Sequence, residues 1–95
     1  MEYEYTKKYW KDLKRYTTNK ELIILVAKKT QSVIKAKALS DISELVPIRK
    51  TSAHYRIKIK LSDKNTFRIG LRVLKNTVWF SCLENNKKRF YKKFP

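Results

Sequence analysis

The chain has 95 residues, of which 42% are hydrophobic and 13% aromatic, so its composition suits one folded domain with a compact core. Its 24 basic and 8 acidic side chains give a formal net charge of +16, which attracts polyanions: nucleic acid first, an acidic protein second, an anionic membrane surface a distant third. Because the longest apolar run (22–27) is too short to span a bilayer and the single cysteine excludes an internal disulfide, we expect a cytoplasmic protein.

The first half of the chain predicts one strand and two helices. Residues 2–5 alternate tyrosine with glutamate, which is typical of an edge strand. Aromatic and leucine side chains at helical spacing then predict a helix over 6–16. A capping box at 18–21 opens a second helix that extends to about Leu39, and residues 40–52 are predicted to form a loop.

The second half predicts at least three antiparallel strands. Apolar residues alternate with polar ones over 55–61, 67–73 and 78–83, and short connections separate the three runs. Helices that cover one face of such a sheet leave its other face open. The sequence therefore predicts a single α+β domain over 1–95, with an N-terminal strand and two helices packed on one face of an antiparallel sheet.

Cations occupy alternate positions on the open face of the predicted sheet. Residues 46–95 contain 14 basic and 2 acidic side chains, a net charge of +12, whereas residues 1–45 contain 10 and 6, a net of +4. Like charges that face each other across a sheet repel, so a polyanion-binding face is favoured over the alternative, a row of solvated strand positions. The cations are Arg56, Lys58, Lys60, Arg68 and Arg72.

The lengths of the turns predict which residues lie opposite one another on this face. Gly70 is expected between Ser81 and Lys58, and Arg68 is expected opposite Leu83. Because neither Gly70 nor Ser81 has a bulky side chain, the centre of the face is predicted to be a shallow positive trough with room for a phosphodiester.

The C-terminal stretch interleaves basic and aromatic residues. Cations suit phosphates and aromatic rings suit stacked bases, so this pattern favours nucleic-acid binding. The alternative is that Phe90 and Phe94 belong to the core and the lysines are merely solvated; both can hold at once.

Short motifs in the second half resemble the RelE/ParE superfamily of type II toxin–antitoxin toxins. The resemblance rests on YRIKIK, FRIGLRV, TVWFSCLE and KKRFYKKFP, in that order and spacing. Similar members carry a YRIRIGDYRIG-like hairpin and a final segment like HRKDIYRYFP. The early segments WKDLKRY and ISEL are similar to the family's N-terminal part, so the resemblance covers nearly the whole chain.

The resemblance implies a compact α+β fold with a twisted antiparallel sheet and ribosome-dependent cleavage of mRNA. In such toxins the messenger's 2′-hydroxyl attacks the neighbouring phosphate, which yields a 2′,3′-cyclic phosphate and a 5′-hydroxyl. No metal or other cofactor takes part; basic side chains stabilise the transition-state charge instead.

The resemblance also implies roles for individual residues. Arg56 and Lys58 match the family's basic pair, and Arg68 matches the arginine that contacts the scissile phosphate. Tyr91 matches a tyrosine that orients or activates the 2′-hydroxyl or stacks on a base. Lys87 stands where relatives have an arginine that acts as general acid or transition-state clamp. Further RNA contacts are expected from the remaining cations Lys60, Arg72, Lys88 and Arg89.

Two positions depart from the family pattern. Lys87 cannot make the two-pronged contact that arginine makes with phosphate. Asn86 stands where many relatives have histidine, and His54, at the start of its strand, is a candidate substitute. A lone histidine is more often a surface residue without a catalytic role.

A cognate antitoxin is the partner that the resemblance implies, beside mRNA on the ribosome. Trp79 is a candidate anchor for it, unless the ring only forms a cation–π pair with Arg72. Three other functions stay open: a ParE-like DNA gyrase poison, a basic RNA- or ribosome-binding module without chemistry, and an inactive toxin remnant.

Overall fold

A computed structural model describes residues 1–48 and 53–95 as an α+β fold, which confirms the predicted class. The strands form one sheet in the order β1-β5-β4-β3-β2. The helices and strands are β1 (Glu2–Tyr5), α1 (Lys7–Arg15), α2 (Lys20–Lys35), β2 (Val46–Pro47), β3 (His54–Ser62), β4 (Asn65–Leu74), β5 (Thr77–Glu84) and α3 (Lys87–Lys93).

The sheet is antiparallel from β2 to β5, and β1 adds to it in parallel. β1 pairs with β5, so that Tyr3 lies beside Val78 and Glu4 beside Trp79. The helices α1 and α2 connect β1 to the rest of the sheet and cover the face opposite the predicted cations. The N-terminal edge strand is therefore confirmed, within a mixed sheet.

The second helix starts one residue later and ends four residues earlier than its sequence pattern predicts. Asn19, one residue after the predicted cap Thr18, accepts a hydrogen bond from the backbone N–H of Leu22 at 3.1 Å. The helix ends at Lys35, short of the predicted end, because Ala36 adopts an extended conformation with ψ of 138°.

The region predicted as a loop contains two short ordered elements. Residues Leu39–Asp41 form a 3₁₀ turn, and Val46–Pro47 form β2 against β3. The proline is tolerated there because β2 is an edge strand, where one N–H is not needed for pairing. Residues 49–52 of the predicted loop lie outside the described residues.

The main core lies between the sheet and the helices α1 and α2. Alternate residues of β3, β4 and β5 face it, as their period of two predicts. The side chains below 2% exposure there are Tyr9, Leu22, Val33, Ile57, Ile69, Leu71, Val78, Phe80 and Leu83.

A β-bulge at Ser81 changes the predicted face of the residues that follow it. Gly70 lies opposite Cys82, not opposite Ser81 as predicted, because β5 has one extra residue at this point. Beyond the bulge the alternation is reversed. Leu83 therefore faces the main core, and Cys82 faces the opposite side of the sheet; the predicted sides of both residues are wrong.

Side chains of α1 and its N-cap bind the backbone groups around the bulge. The Thr6 hydroxyl donates to the Ser81 carbonyl oxygen at 3.0 Å. The buried carboxylate of Asp12 accepts from the backbone N–H of Leu83 and from Lys8 Nζ, both at 2.9 Å. These bonds satisfy polar groups where the ladder is disrupted, so α1 and the bulge stabilise each other.

Candidate nucleic-acid interface

The cations of β3 and β4 lie on one face of the sheet, as predicted, but at a different offset. The turn between the strands is tighter than expected, so Lys58 lies opposite Arg68 and Arg56 opposite Gly70. The predicted pairing of Lys58 with Gly70 is therefore wrong. The actual pairing brings two predicted catalytic residues, Lys58 and Arg68, next to each other.

The third helix, which was not predicted from the sequence, covers the centre of this face. A Cβ atom at Gly70 would lie 2.6 Å from Cys82 Sγ and 2.8 Å from Phe94 Cδ2. Phe90 and Phe94 are buried against Cys82 and form a small second core with it. The predicted empty trough at Gly70 is therefore wrong, because aromatic side chains already fill it; the alternative that Phe90 and Phe94 are core residues is confirmed.

Arg68 is the most buried cation of the predicted site. Its side chain is 7% exposed, and its guanidinium carbon lies 5.9 Å from the ring centroid of Tyr91. Its Nε is buried and has no hydrogen-bond partner in the structure. Arg68 and Tyr91, which the sequence suggested separately as site residues, are thus in direct cation–π contact.

A buried carboxylate lies beside Arg68 because of the bulge. Glu84, not Leu83, is opposite Arg68 in the ladder, and it is 6% exposed. Glu84 Oε1 accepts hydrogen bonds from the backbone N–H groups of Asn85 and Asn86 at 3.1 and 3.2 Å. No local pattern in the sequence indicates Glu84, since only the bulge brings it to this face.

The start of α3 holds the remaining predicted catalytic residue. Asn86 caps this helix, because its side-chain oxygen accepts from the Arg89 backbone N–H at 2.9 Å. Lys87 and Lys88 are exposed at the first turn, and Arg89 Nε lies 3.8 Å from Glu84 Oε1. Asn86 thus has a structural role as the N-cap of α3.

Two further predicted RNA-binding cations lie away from the Arg68–Tyr91 contact. Lys60 forms an exposed ion pair with Asp63 at 3.3 Å. Arg72 is exposed and lies between His54 and Trp79 in the ladder. In the described part of the chain, the cation–π contact is that of Arg68, and Arg72 makes none with Trp79.

His54 lies at the margin of the site. Its ring meets the edge of Phe94 at a centroid distance of 5.2 Å. Burial, and then the nearby charge of Arg72, lower the pKa of His54 below its usual value. We therefore expect a neutral imidazole at physiological pH.

A pocket of about 410 Å³ lies between β2 and the C-terminus, beside the site. No sequence pattern indicated it, since its lining combines residues of β2, α3 and the C-terminus that are distant in sequence. Its lining residues are Val46, Pro47, Ile48, Arg56, Tyr91, Phe94 and Pro95.

Neither a metal cluster nor a membrane-spanning helix occurs in the described ranges 1–48 and 53–95. No group of three or more His, Cys, Asp or Glu side chains there is placed to hold a metal ion. No helix in these ranges is both long and apolar enough to cross a membrane.

The fold is similar to that of a solved protein. One chain of the crystal structure of the RelB–RelE antitoxin–toxin complex from Methanococcus jannaschii matches it with a TM-score of 0.58 and 23% identity. The match covers 96% of this chain and 98% of that chain. No protein-family model matches the sequence, and no curated protein does either. At this identity the similarity shows a shared fold.

Proposed function

We propose that this protein is the toxin of a type II toxin–antitoxin system and that it cleaves mRNA on the ribosome. Three things support the proposal: the resemblance of its motifs to the RelE/ParE superfamily, the fold shared with a chain of an antitoxin–toxin complex, and the geometry around Arg68. The proposed reaction is metal-independent cleavage by the messenger's own 2′-hydroxyl.

The single observation that carries the proposal is the environment of Arg68. Its buried Nε has no acceptor, although an unsatisfied buried donor costs about 1–3 kcal/mol. A phosphate oxygen is an acceptor of the right charge, and Lys58 is directly opposite Arg68 to share it. Tyr91 lies over the guanidinium and is 40% exposed, so it can meet a nucleotide bound there.

These residues suit a reaction in which negative charge develops on a phosphate. The 2′-oxygen forms a bond to phosphorus and loses its proton, while the bond to the 5′-oxygen breaks and that oxygen takes up a proton. Arg68 and Lys58 stabilise the charge of the transition state. Tyr91 orients or activates the 2′-hydroxyl or stacks on a base, and Lys87 is the general acid or the clamp on the transition state.

The surrounding cations extend the proposed RNA surface beyond the reacting phosphate. Exposed positive charges supply affinity through the phosphate backbone and release of counterions. Arg89 contributes less than a free arginine would, because Glu84 lies 3.8 Å from its Nε. The proposed RNA-binding residues are Arg56, Lys60, Arg72, Lys88 and Arg89.

A cognate antitoxin is the proposed protein partner. The structure that shares this fold is an antitoxin–toxin complex, and the net charge of +16 favours an acidic partner. Trp79 is the proposed anchor, since it is only partly buried. A Trp79→Ala variant that binds the antitoxin as tightly as the parent would remove this role.

Primer-extension mapping of mRNA in ribosome complexes tests the nuclease function. We expect the parent protein to cut within A-site codons, and we expect Arg68→Ala and Tyr91→Phe to lose at least about 100-fold of that activity. Lys11→Ala is the matched control, because Lys11 is an exposed cation of α1 on the helical side of the molecule; it should cut like the parent.

Intact mRNA with the folded parent protein would contradict the nuclease function. A DNA gyrase supercoiling assay would then separate the ParE-like alternative from a basic binding module. Inhibition of supercoiling that persists in Arg68→Ala would support gyrase poisoning through protein contact.

A further inference from the structure

The outer edge of β3 is only partly covered. β2 has two residues, and they lie opposite Tyr55 and Arg56. β3 continues to Ser62, and no strand of the described residues lies beside its outer edge after Arg56. Uncovered edges of this kind can pair with another chain.

The backbone groups at this edge belong to the lysines of β3. The His54 carbonyl oxygen accepts from the Ile48 N–H at 2.9 Å, so His54 directs its backbone groups outward. Because alternate residues of an antiparallel strand direct these groups the same way, Lys58 and Lys60 also present N–H and C=O to the outer edge. Neither residue has a backbone hydrogen bond to a loop, turn or cap among the described residues.

A groove beside this edge has one apolar side and one cationic side. Leu25 of α2 lines the apolar side above the buried Ile59, and Lys29 is paired with Glu44 at the margin. Val46 is opposite Arg56 in the ladder and so lies on the cationic side. The side chains of Arg56, Lys58 and Lys60 supply the cationic side. A strand added here would place alternate side chains on the two sides.

We infer that this edge of β3 binds an extended segment of a partner protein in which acidic residues alternate with aliphatic ones. The acidic side chains would meet Lys58 and Lys60, the aliphatic ones would meet Leu25 on the side of α2, and main-chain hydrogen bonds would extend the sheet. In the context of the proposed function, on which this step rests, the segment belongs to the antitoxin.

The charge of the edge favours such a segment over other occupants. A second copy of this chain would bring its own lysine row against Lys58 and Lys60, and like charges across a sheet repel. RNA offers no peptide groups to pair with a strand edge. An acidic segment at this position would also neutralise Lys58 and Arg56, which are proposed to serve the RNA, so binding of the segment and of RNA should exclude each other.

Binding of a fluorescein-labelled peptide, EVEVEVE, tests the inference by fluorescence anisotropy. Two further peptides carry N-methyl groups on all glutamates or on all valines, which removes donors from one peptide edge without a change of charge. We expect one methylated peptide to bind at least about tenfold more weakly and the other to bind like the parent peptide. Whether methylation of the glutamates or of the valines weakens binding then shows the direction in which the added strand runs.

Protein variants and hydrogen exchange give independent readouts. Lys60→Glu should weaken peptide binding at least about tenfold, whereas Lys11→Glu, with the same change of charge on α1, should weaken it about twofold or less. The amides of Lys58 and Lys60 should exchange more slowly with the peptide bound, and those of β1 on the opposite edge should not. Equal binding of both methylated peptides, or no binding of EVEVEVE, would overturn the inference.

Failure of the inference and failure of the proposed function have different signatures. mRNA cleavage by a protein that does not bind the peptide would remove only the edge-binding role. Sheet-edge binding by a protein that leaves mRNA intact would remove only the nuclease function.

Discussion

At the scale of single residues, the capacity of the cationic face to bind an anion depends on the contacts of Arg68. A guanidinium at 7% exposure with a buried, unpaired Nε lies here against the ring of Tyr91, and Glu84 is opposite Arg68 in the ladder. A cation–π contact contributes about 0.5–2 kcal/mol, comparable with the penalty for one unsatisfied donor. Arg68 is therefore positioned in advance, and its remaining hydrogen-bonding capacity suits an incoming anion.

The lowered pKa of His54 predicts how the stability of the fold depends on pH. Because burial and Arg72 lower the pKa of His54 in the folded state, the unfolded chain binds the proton more readily below about pH 6.5. The stabilisation is present above the unfolded pKa and is lost as pH falls toward the lower folded pKa. We expect the melting temperature to fall between pH 7.5 and about 5.5, and to fall less in His54→Gln. Parallel melting profiles of the two proteins would contradict this.

At the scale of elements, contacts between segments that are distant in sequence determine the geometry of the site. α3 packs on the cationic face through Phe90 and Phe94, and its position there depends on the absence of a side chain at Gly70. α1 packs on the other face and binds the bulge of β5 through Asp12. Together these contacts bring Glu84 and Tyr91 to Arg68.

Gly70→Ala should displace α3. The new methyl group would lie 2.6 Å from Cys82 Sγ and 2.8–2.9 Å from the Phe94 ring, and overpacking of this kind costs about 1–3 kcal/mol. We expect a lower free energy of unfolding in urea and faster hydrogen exchange in α3. Cys82→Ala in the Gly70→Ala background removes the nearest clash and should restore part of the stability; strict additivity of the two substitutions would argue against the clash.

Asp12→Ala should destabilise the junction of α1 and β5. It leaves the buried N–H of Leu83 without an acceptor, which costs about 1–3 kcal/mol. Asp12→Asn is the matched control, since it keeps an acceptor oxygen and should lose less than the alanine variant. Chemical denaturation measures both; equal losses would show that the charge on Asp12, and not the hydrogen bond to Leu83, stabilises the junction.

At the scale of the whole molecule, the positive charge is concentrated in the C-terminal half of the chain. Most of the excess of +16 comes from the C-terminal half, which contains the cationic face and α3. Such a distribution orients an approaching polyanion toward that face and raises the rate of encounter. The acidic side chains Glu2 and Glu4 lie in β1, at the opposite edge of the sheet from β2.

The salt dependence of RNA binding should identify which cations contact phosphate. For single strands, the logarithm of affinity falls with the logarithm of salt concentration by about 0.7 per neutralised phosphate. We expect Lys58→Ala to reduce this slope by about 0.7 and Lys11→Ala to leave it unchanged. Titration of a short labelled RNA at several salt concentrations measures the slopes; equal slopes for the two variants would place the RNA elsewhere on the surface.

The sequence by itself determined the α+β class, the long strands and the common face of the cations on β3 and β4. These features follow from a period of two, a local property that any correct register must preserve. The same local patterns indicated the two first helices, although Asn19 and Ala36 decided where the second one begins and ends. The resemblance of short motifs added the proposed site residues.

Only the tertiary structure decided the offsets, the bulge, the third helix and the short strand β2. The bulge at Ser81 is bound by Thr6 and supported by Asp12, both from a segment distant in sequence, so the local pattern of β5 could not reveal the reversal at Cys82. α3 is short, and its burial depends on space above Gly70 that exists only after the strands pair. Long-range hydrogen bonds and close packing made these choices, and hydrophobic periodicity contains no information about either.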